Sequence, residues 1–220
     1  MFELFVWLLS AYFCVWGINR LRMLFILRKK DKTKALRRLL CLSGVPEKYV
    51  LALINGGANV NAYNLESKEL PSLYSALSHS QPIGIVRVLA ESGAHVNGEP
   101  GFLPLLAAAL SFKRTDVFDF LVSKGADIRL TLGDGSTLLH IAAYCGNPGV
   151  VENLAKSYGF DVNHPNKSGT TPLMAACARG NKSVEKALLK LGADPEARDH
   201  DGKRAEDYKP RGFFKKRGTE

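Results

Sequence analysis

The stretch Asp134-Gly135-Ser136-Thr137-Leu138-Leu139-His140-Ile141-Ala142-Ala143, answered one period later by Thr171-Pro172-Leu173-Met174-Ala175-Ala176, decides how this chain is read. Each block leads from a turn into a short run of small and apolar residues, and each ends at a Gly-Asn pair, Gly146-Asn147 and Gly180-Asn181. Thr137 and Thr171 suit helix N-caps, where a hydroxyl accepts from a free first-turn N–H. Pro172 suits the first helical position, which needs no backbone donor. Both blocks predict a short inner helix entered through a turn.

Working outward, a second signal recurs downstream of these blocks. It reads Gly57-Ala58-Asn59-Val60, Gly93-Ala94-His95-Val96, Gly125-Ala126-Asp127-Ile128, Gly159-Phe160-Asp161-Val162 and Gly192-Ala193-Asp194-Pro195, at spacings of 36, 32, 34 and 33 residues. Before each glycine lies an apolar stripe at helical spacing: Val50/Leu53/Ile54, Ile85/Val86/Leu89, Val117/Phe120/Leu121, Val151/Leu154 and Val184/Leu188/Leu189. The stripes predict outer helices, each ending at a glycine that takes positive φ just past the last turn. A helix pair this short cannot bury its apolar face alone, so copies must stack, and alanines on the inner helices let neighbours approach.

On these residues the chain resembles the ankyrin-repeat family, whose DGxTPLHxAA signature is similar to the blocks at 134–143 and 171–176. Leu103-Pro104-Leu105-Leu106-Ala107-Ala108 and Pro71-Ser72-Leu73-Tyr74-Ser75-Ala76 match more weakly. The resemblance implies an all-α solenoid of stacked helix pairs with β-turn or hairpin fingers, over about 33–63, 64–98, 99–130, 131–164 and 165–197, with a half-repeat cap from 198. It also implies that His140 hydrogen-bonds across to an adjacent loop. The first copy lacks the signature entry and has a basic first helix, as a terminal capping repeat does, and in the third copy Phe112 is read as replacing the turn glycine.

Charge and hydropathy describe the flanks. The 220 residues are 46% apolar, enough to bury a core and to exclude disorder throughout. The formal net charge is +9, but residues 1–40 hold nine basic and two acidic groups, residues 203–220 seven and three, and residues 41–202 fourteen and sixteen. A near-neutral repeat region argues against nucleic-acid binding, which would have to use the basic termini. From Phe2 to Ile18 the only charge is Glu3, and as a helix these 17 residues span roughly 26 Å, within the range for a membrane crossing. A cleavable secretory signal would begin with positive charge and end at small residues, whereas this segment begins Met-Phe-Glu-Leu and is followed by Asn19-Arg20-Leu21-Arg22. An interfacial or domain-packed helix is the other alternative.

The reading adopted is a membrane-anchor helix over 1–20 and a basic juxtamembrane segment over 21–32. The positive-inside rule then places everything after residue 20 in the cytoplasm. Trp7, Trp16, Arg20 and Arg22 are the expected membrane contacts, joined by Phe213 and Phe214 in the basic C-terminal segment 203–220. Four cysteines without a CxxC pair, Cys14, Cys41, Cys145 and Cys177, fit a reducing compartment.

No pattern points to catalysis. The five histidines are distributed one per repeat or loop, too far apart to meet on one ion, and no nucleophile–base constellation or phosphate-cradling loop stands out. The expectation is a monomeric, non-enzymatic chain without cofactor, metal or small-molecule substrate. What the resemblance implies instead is protein binding through the fingers and the exposed side of the inner helices. Finger candidates are Tyr63, Asn64, Leu65, Asn97, Glu99, Arg129, Leu132, His164, Asn166, Lys167, Arg198 and His200, and groove candidates are Ser78, His79, Leu110, Tyr144 and Arg179. The leading partner-binding candidates are Tyr63, Arg129, Tyr144, His164, Lys167 and Arg179. The functional expectation is a membrane-tethered interaction adaptor, with an inhibitor or immunity-type protein that occludes one enzyme or toxin as the alternative.

Overall fold

A computed structural model describes residues 26, 27, 29–64 and 69–210. The expected anchor over 1–20, with Trp7, Trp16, Arg20 and Arg22, lies outside the described residues, as do Phe213 and Phe214. Among the described residues no helix is long and apolar enough to cross a membrane. The chain divides into two units, Met1–Phe102 and Leu103–Glu220.

In the first unit, helices α1 (Lys32–Leu40), α2 (Glu47–Asn55), α3 (Ser72–Ser78) and α4 (Ile83–Glu91) form two pairs. Asp31 starts α1 by accepting the Lys34 N–H at 2.8 Å, and the helix buries Ala35, Leu36, Leu39 and Leu40 while Lys34 and Arg38 face water. The basic first helix therefore keeps its apolar residues on one face and its charges on the other. Helix α1 packs on α2 and α3, and α4 on α2 and α3. Two side chains fasten one pair to the next. The Gln81 amide donates to the carbonyls of Leu40 and Leu42 at 2.7 and 2.6 Å. Asn61 donates to the Gly93 carbonyl at 2.8 Å and accepts the His95 N–H at 3.0 Å.

The second unit holds α5 (Leu105–Ser111), α6 (Thr115–Ser123), α7 (Leu138–Cys145), α8 (Pro148–Lys156), α9 (Pro172–Ala178), α10 (Lys182–Lys190) and a 3-10 turn at Ala205–Tyr208. Inner helices α5, α7 and α9 stack in order, and the 3-10 turn closes the row against α9. Ala107, Ala108, Ala142, Ala143 and Ala176 are all buried, so backbones approach where larger side chains would hold them apart. Asn181 repeats the role of Gln81, donating to the carbonyls of Ala143 and Tyr144 at 2.9 Å. Asn163 repeats that of Asn61, donating to Gly192 at 3.1 Å and accepting from Asp194 at 2.8 Å.

The fingers are tight turns. Leu132, Asn166 and Asp199 each donate an N–H to the carbonyl four residues on, at 2.9, 2.9 and 3.0 Å. Successive fingers are joined by backbone rungs, Lys167 N–H to the Asp134 carbonyl at 2.9 Å and His200 N–H to the Ser168 carbonyl at 3.0 Å. Among the described residues no strand forms, and the one isolated bridge is Asn64 with Glu69. These rungs explain the glycines of the signature. Gly169 has φ +80°, and a Cβ there would meet the His200 nitrogen at 2.8 Å and the Asp199 Cα at 2.9 Å.

Several details depart from the sequence reading. The residue that takes the left-handed turn at Gly146 and Gly180 is, in the preceding copy, Lys113 (φ 56°) and not Phe112. Pro104 accordingly stands at the N-cap positions of Thr137 and Thr171, one place from where the weak match set it. Leu110 then aligns with Ala143 and Cys177 and is buried, so it is a core residue rather than a groove residue. On the outer helices, Phe118 fills the core while Phe120 is half-buried beneath the Lys124 ammonium, and Ala187 is buried while Leu189 is exposed.

Two glycine substitutions separate turn strain from close packing. Gly192→Ala has open space around the new Cβ and costs only the left-handed conformation, about 1–2 kcal/mol. Gly169→Ala must also displace backbone of the next finger and is expected to lower the urea midpoint further than Gly192→Ala, as followed by far-UV circular dichroism. Equal midpoints would show that the finger rungs add nothing.

Candidate functional site

The exposed side of the inner helices in residues 103–210 follows from helical spacing. On α7 it presents Ile141, Tyr144 and Cys145, and on α9 Ala175, Ala178 and, at the helix end, Arg179. These side chains line a groove of about 610 Å³, bounded on the finger side by Leu132, Ser136, Asn166 and Thr170 and completed by Leu103, Ser111, Lys113, His140, Met174, Asn181 and Tyr208. Its lining mixes apolar side chains with polar ones. Tyr144 is 47% exposed, and the Arg179 guanidinium lies over its ring at 4.8 Å from the centroid. A cation over an aromatic face is attracted by the ring, by about 0.5–1 kcal/mol at an exposed site.

His140 supports the groove from beneath. It is 3% exposed, its Nε2 lies 3.0 Å from the Thr170 carbonyl in the next finger, and its Nδ1 lies 3.2 Å from the Thr137 nitrogen and 2.9 Å from the Thr137 hydroxyl. A carbonyl can only accept, so Nε2 carries the proton and Nδ1 accepts from the Thr137 N–H, which defines a neutral tautomer. Burial is the main cause that lowers its pKa, aided by the His164 ring, whose centroid is 6.4 Å away. The cross-loop bond expected at this position is therefore present.

The other candidates are distributed. Tyr63, in the first unit, meets the Phe102 ring edge-on at 5.4 Å, and Phe102 also contacts buried Tyr74 at 5.2 Å. Burial, and secondarily the Glu99 carboxylate, push the Tyr74 phenol up to about 12. Arg129 donates to the Tyr158 carbonyl and lies over the Phe160 ring at 4.5 Å, so its charge is used between neighbouring loops. Lys167 Nζ donates to the Gly133 carbonyl at 2.8 Å. His164 is exposed beside His140 and does not line the groove. Only Tyr144 and Arg179 of the six come together in it.

Groove residues the sequence reading missed include Lys113, Ser111, Ile141 and Tyr208. The i, i+3, i+4 spacing around Tyr144 could have found Ile141. Lys113 and Ser111 were hidden by the one-residue slip in the third copy, and Tyr208 by its place in the cap. There Tyr208 donates its hydroxyl to Asp199, whose carboxyl this bond holds below the ordinary range.

Burial raises the pKa of each described thiol, Cys41, Cys145 and Cys177, the last to about 11, so all three stay protonated near neutral pH. Among the described residues no cluster of three or more His, Cys, Asp or Glu could hold a metal ion.

Comparison with known proteins agrees with this geometry. Residues 105–199 match, in three copies, the family described as ankyrin repeats. The chain is 40% identical over 68 residues to human protein phosphatase 1 regulatory subunit 27, a stretch covering 31% of this chain and 44% of that protein. It is 36% identical over 76 residues to alpha-latrotoxin-Lg1a of Latrodectus geometricus, covering 34% of this chain and 6% of that one. The chain thus spans less than half the length of these relatives. Among solved structures, the human ASB11 ankyrin repeat domain superposes with a TM-score of 0.68 at 25% identity, covering 83% of this chain and 79% of that chain. The all-helical ankyrin-repeat fold is therefore shown.

The neutral tautomer of His140 sets a pH dependence. A folded pKa below the ordinary value means that the stabilisation is fully present above that value, 6.5, and is lost as pH falls beneath it, because the unfolded chain binds the proton first. The urea midpoint is expected to fall between pH 7.5 and 5.5. His140→Met introduces the residue that Met174 already provides at the same repeat position. In that variant the fall disappears, while stability at pH 7.5 drops by about 0.5–1.5 kcal/mol from the lost bond to the Thr170 carbonyl, which keeps the Asn166 N–H. A wild-type midpoint independent of pH would contradict the assignment.

Proposed function

We propose that this chain is a protein-interaction adaptor that binds its partner through the groove of residues 103–210 and is held at a membrane by its N-terminal apolar segment, with the repeats on the cytoplasmic side. Ankyrin repeats serve protein–protein interaction, and the fold is typically a non-catalytic interaction domain. The observation that carries the proposal is the exposed Tyr144 ring lying under Arg179 in the groove. Tyrosine and arginine are the side chains most enriched where interfaces concentrate their energy, and pre-ordering them lowers the entropic cost of association. The tether rests on the sequence pattern of residues 1–32, an apolar run followed by a basic cluster.

A second reading, inhibition of one enzyme by occlusion, is favoured by the similarity to a phosphatase regulatory subunit. A single stoichiometric enzyme captured with the chain, and inactive while bound, supports occlusion. Several partners, none inactivated, support the adaptor.

Site-specific photo-crosslinking in native membranes tests the groove. A photoreactive residue in place of Tyr144 is expected to capture a partner protein, whereas one in place of exposed Leu189 on the outer helix α10 captures none above background. Tyr144→Ala is expected to weaken that association by about 2 kcal/mol. Adducts at 189 and not at 144 would move the binding surface to the outer helices. For the tether, the full chain is expected to sediment with membranes and a chain lacking residues 1–20 to remain in the supernatant. A soluble full chain would end that part of the proposal.

A further inference from the structure

The groove has one electrostatic sign. Among its lining residues are the cations Lys113 and Arg179 and no carboxylate. Neither cation has a carboxylate partner among the described residues. Both line the same groove as Cys145, and both pull the pKa of that thiol down against the larger effect of burial. The Arg179 guanidinium lies over the Tyr144 ring, a contact that needs none of its N–H donors, and those donors can grip a carboxylate in two parallel bonds.

Lys113 supplies an independent observation. It occupies the left-handed turn position that glycine fills in the next two repeats, Gly146 and Gly180, with φ 56° against 82° and 66°. A residue with a Cβ is strained there, and glycine would relieve the strain. Ser80 shows that another non-glycine residue is tolerated at this turn in the first unit, but only in the third copy does the strained residue put a charge on the groove. Backbone strain kept at a ligand-facing position points to a use for the side chain.

From these two observations, and resting on the groove being the binding surface, we infer that the partner presents an extended acidic peptide segment in which an Asp or Glu carboxylate is followed within a few residues by a large apolar side chain. The carboxylate sits at Lys113 and Arg179, and the apolar side chain covers Ile141, Ala175 and Ala178. The basic excess of residues 203–220, seven basic against three acidic groups, argues against that end as the occupant, and the apolar run of residues 2–18 is already assigned to the tether.

Selection of a displayed random dodecapeptide library on the full chain in mild non-ionic detergent tests this. Enriched peptides are expected to contain Asp or Glu close to Leu, Phe or Trp. Replacing that carboxylate by its amide, or making Arg179→Gln, is expected to weaken binding about tenfold, and added salt is expected to weaken wild type more than the variant. Lys113→Gly has a two-part signature: a higher urea midpoint, from relief of the turn, together with weaker peptide binding. Enrichment of basic or uncharged peptides that still compete with the Tyr144 crosslink would overturn the acidic-segment inference while leaving the groove as the binding surface. Peptides that bind without touching that crosslink would overturn both. A failure to enrich any peptide, or Lys113→Gly binding as tightly as wild type, also counts against the inference.

Discussion

The backbone rung between successive fingers is the constraint from which the second unit is built. Lys167 N–H meets the Asp134 carbonyl, and one period on His200 N–H meets that of Ser168. Each bond is modest, about 1 kcal/mol net, but it fixes where the next copy begins. With the fingers in register, His140 reaches Thr170 and Asn181 reaches the carbonyls at the end of α7. The inner helices then stand close enough that only small residues fit between them, and stability becomes a sum of short-range terms between neighbours. The glycines at 135 and 169 follow from the same constraint, for both take positive φ and both lie against the following finger.

A lattice so defined separates the residues that hold the repeats from those free to vary. Asn61, Gln81, Asn163 and Asn181 tie one copy to the next and leave little room for substitution. The third residue of the inner helix, by contrast, is Tyr74, Ala107, His140 and Met174 in successive copies, all buried, each matched to a different neighbourhood. On the open face the variation is wider still. Lys113 ties no copy to the next, while Tyr144 and Arg179 meet each other across adjacent copies and stay exposed, so that the groove has an aromatic ring and two positive charges among its lining residues. Arg129 shows the opposite case, a cation of the type expected at a binding surface that is occupied between neighbouring loops.

Periodicity made the fold legible. Five Gly-x-x-(Val/Ile/Pro) turns and two clear inner-helix entries were enough to set the helix pairs, the N-caps at Thr137 and Thr171, and the cross-loop role of His140. The groove was legible only where the signature was strong, at Tyr144 and Arg179. In the third copy the turn residue is a lysine and the N-cap a proline, so the register slipped by one, and Leu110 exchanged places with Ser111 between core and surface. A helix turns about 100° per residue, so one position suffices to make that exchange. Outer-helix stripes were ambiguous for a related reason: Phe118 and Phe120 are both apolar, and only the packed neighbour decides which enters the core.

The central claim is that the open face of α7 and α9 is where this chain meets another protein. Amide hydrogen exchange on the full chain, with and without the partner recovered by crosslinking, tests it most directly. The predicted result is slowed exchange at the inner-helix ends and fingers, over residues 132–145 and 166–181, and no change in α8 and α10. Protection confined to α8 and α10, with the groove exchanging as in the free chain, would contradict it.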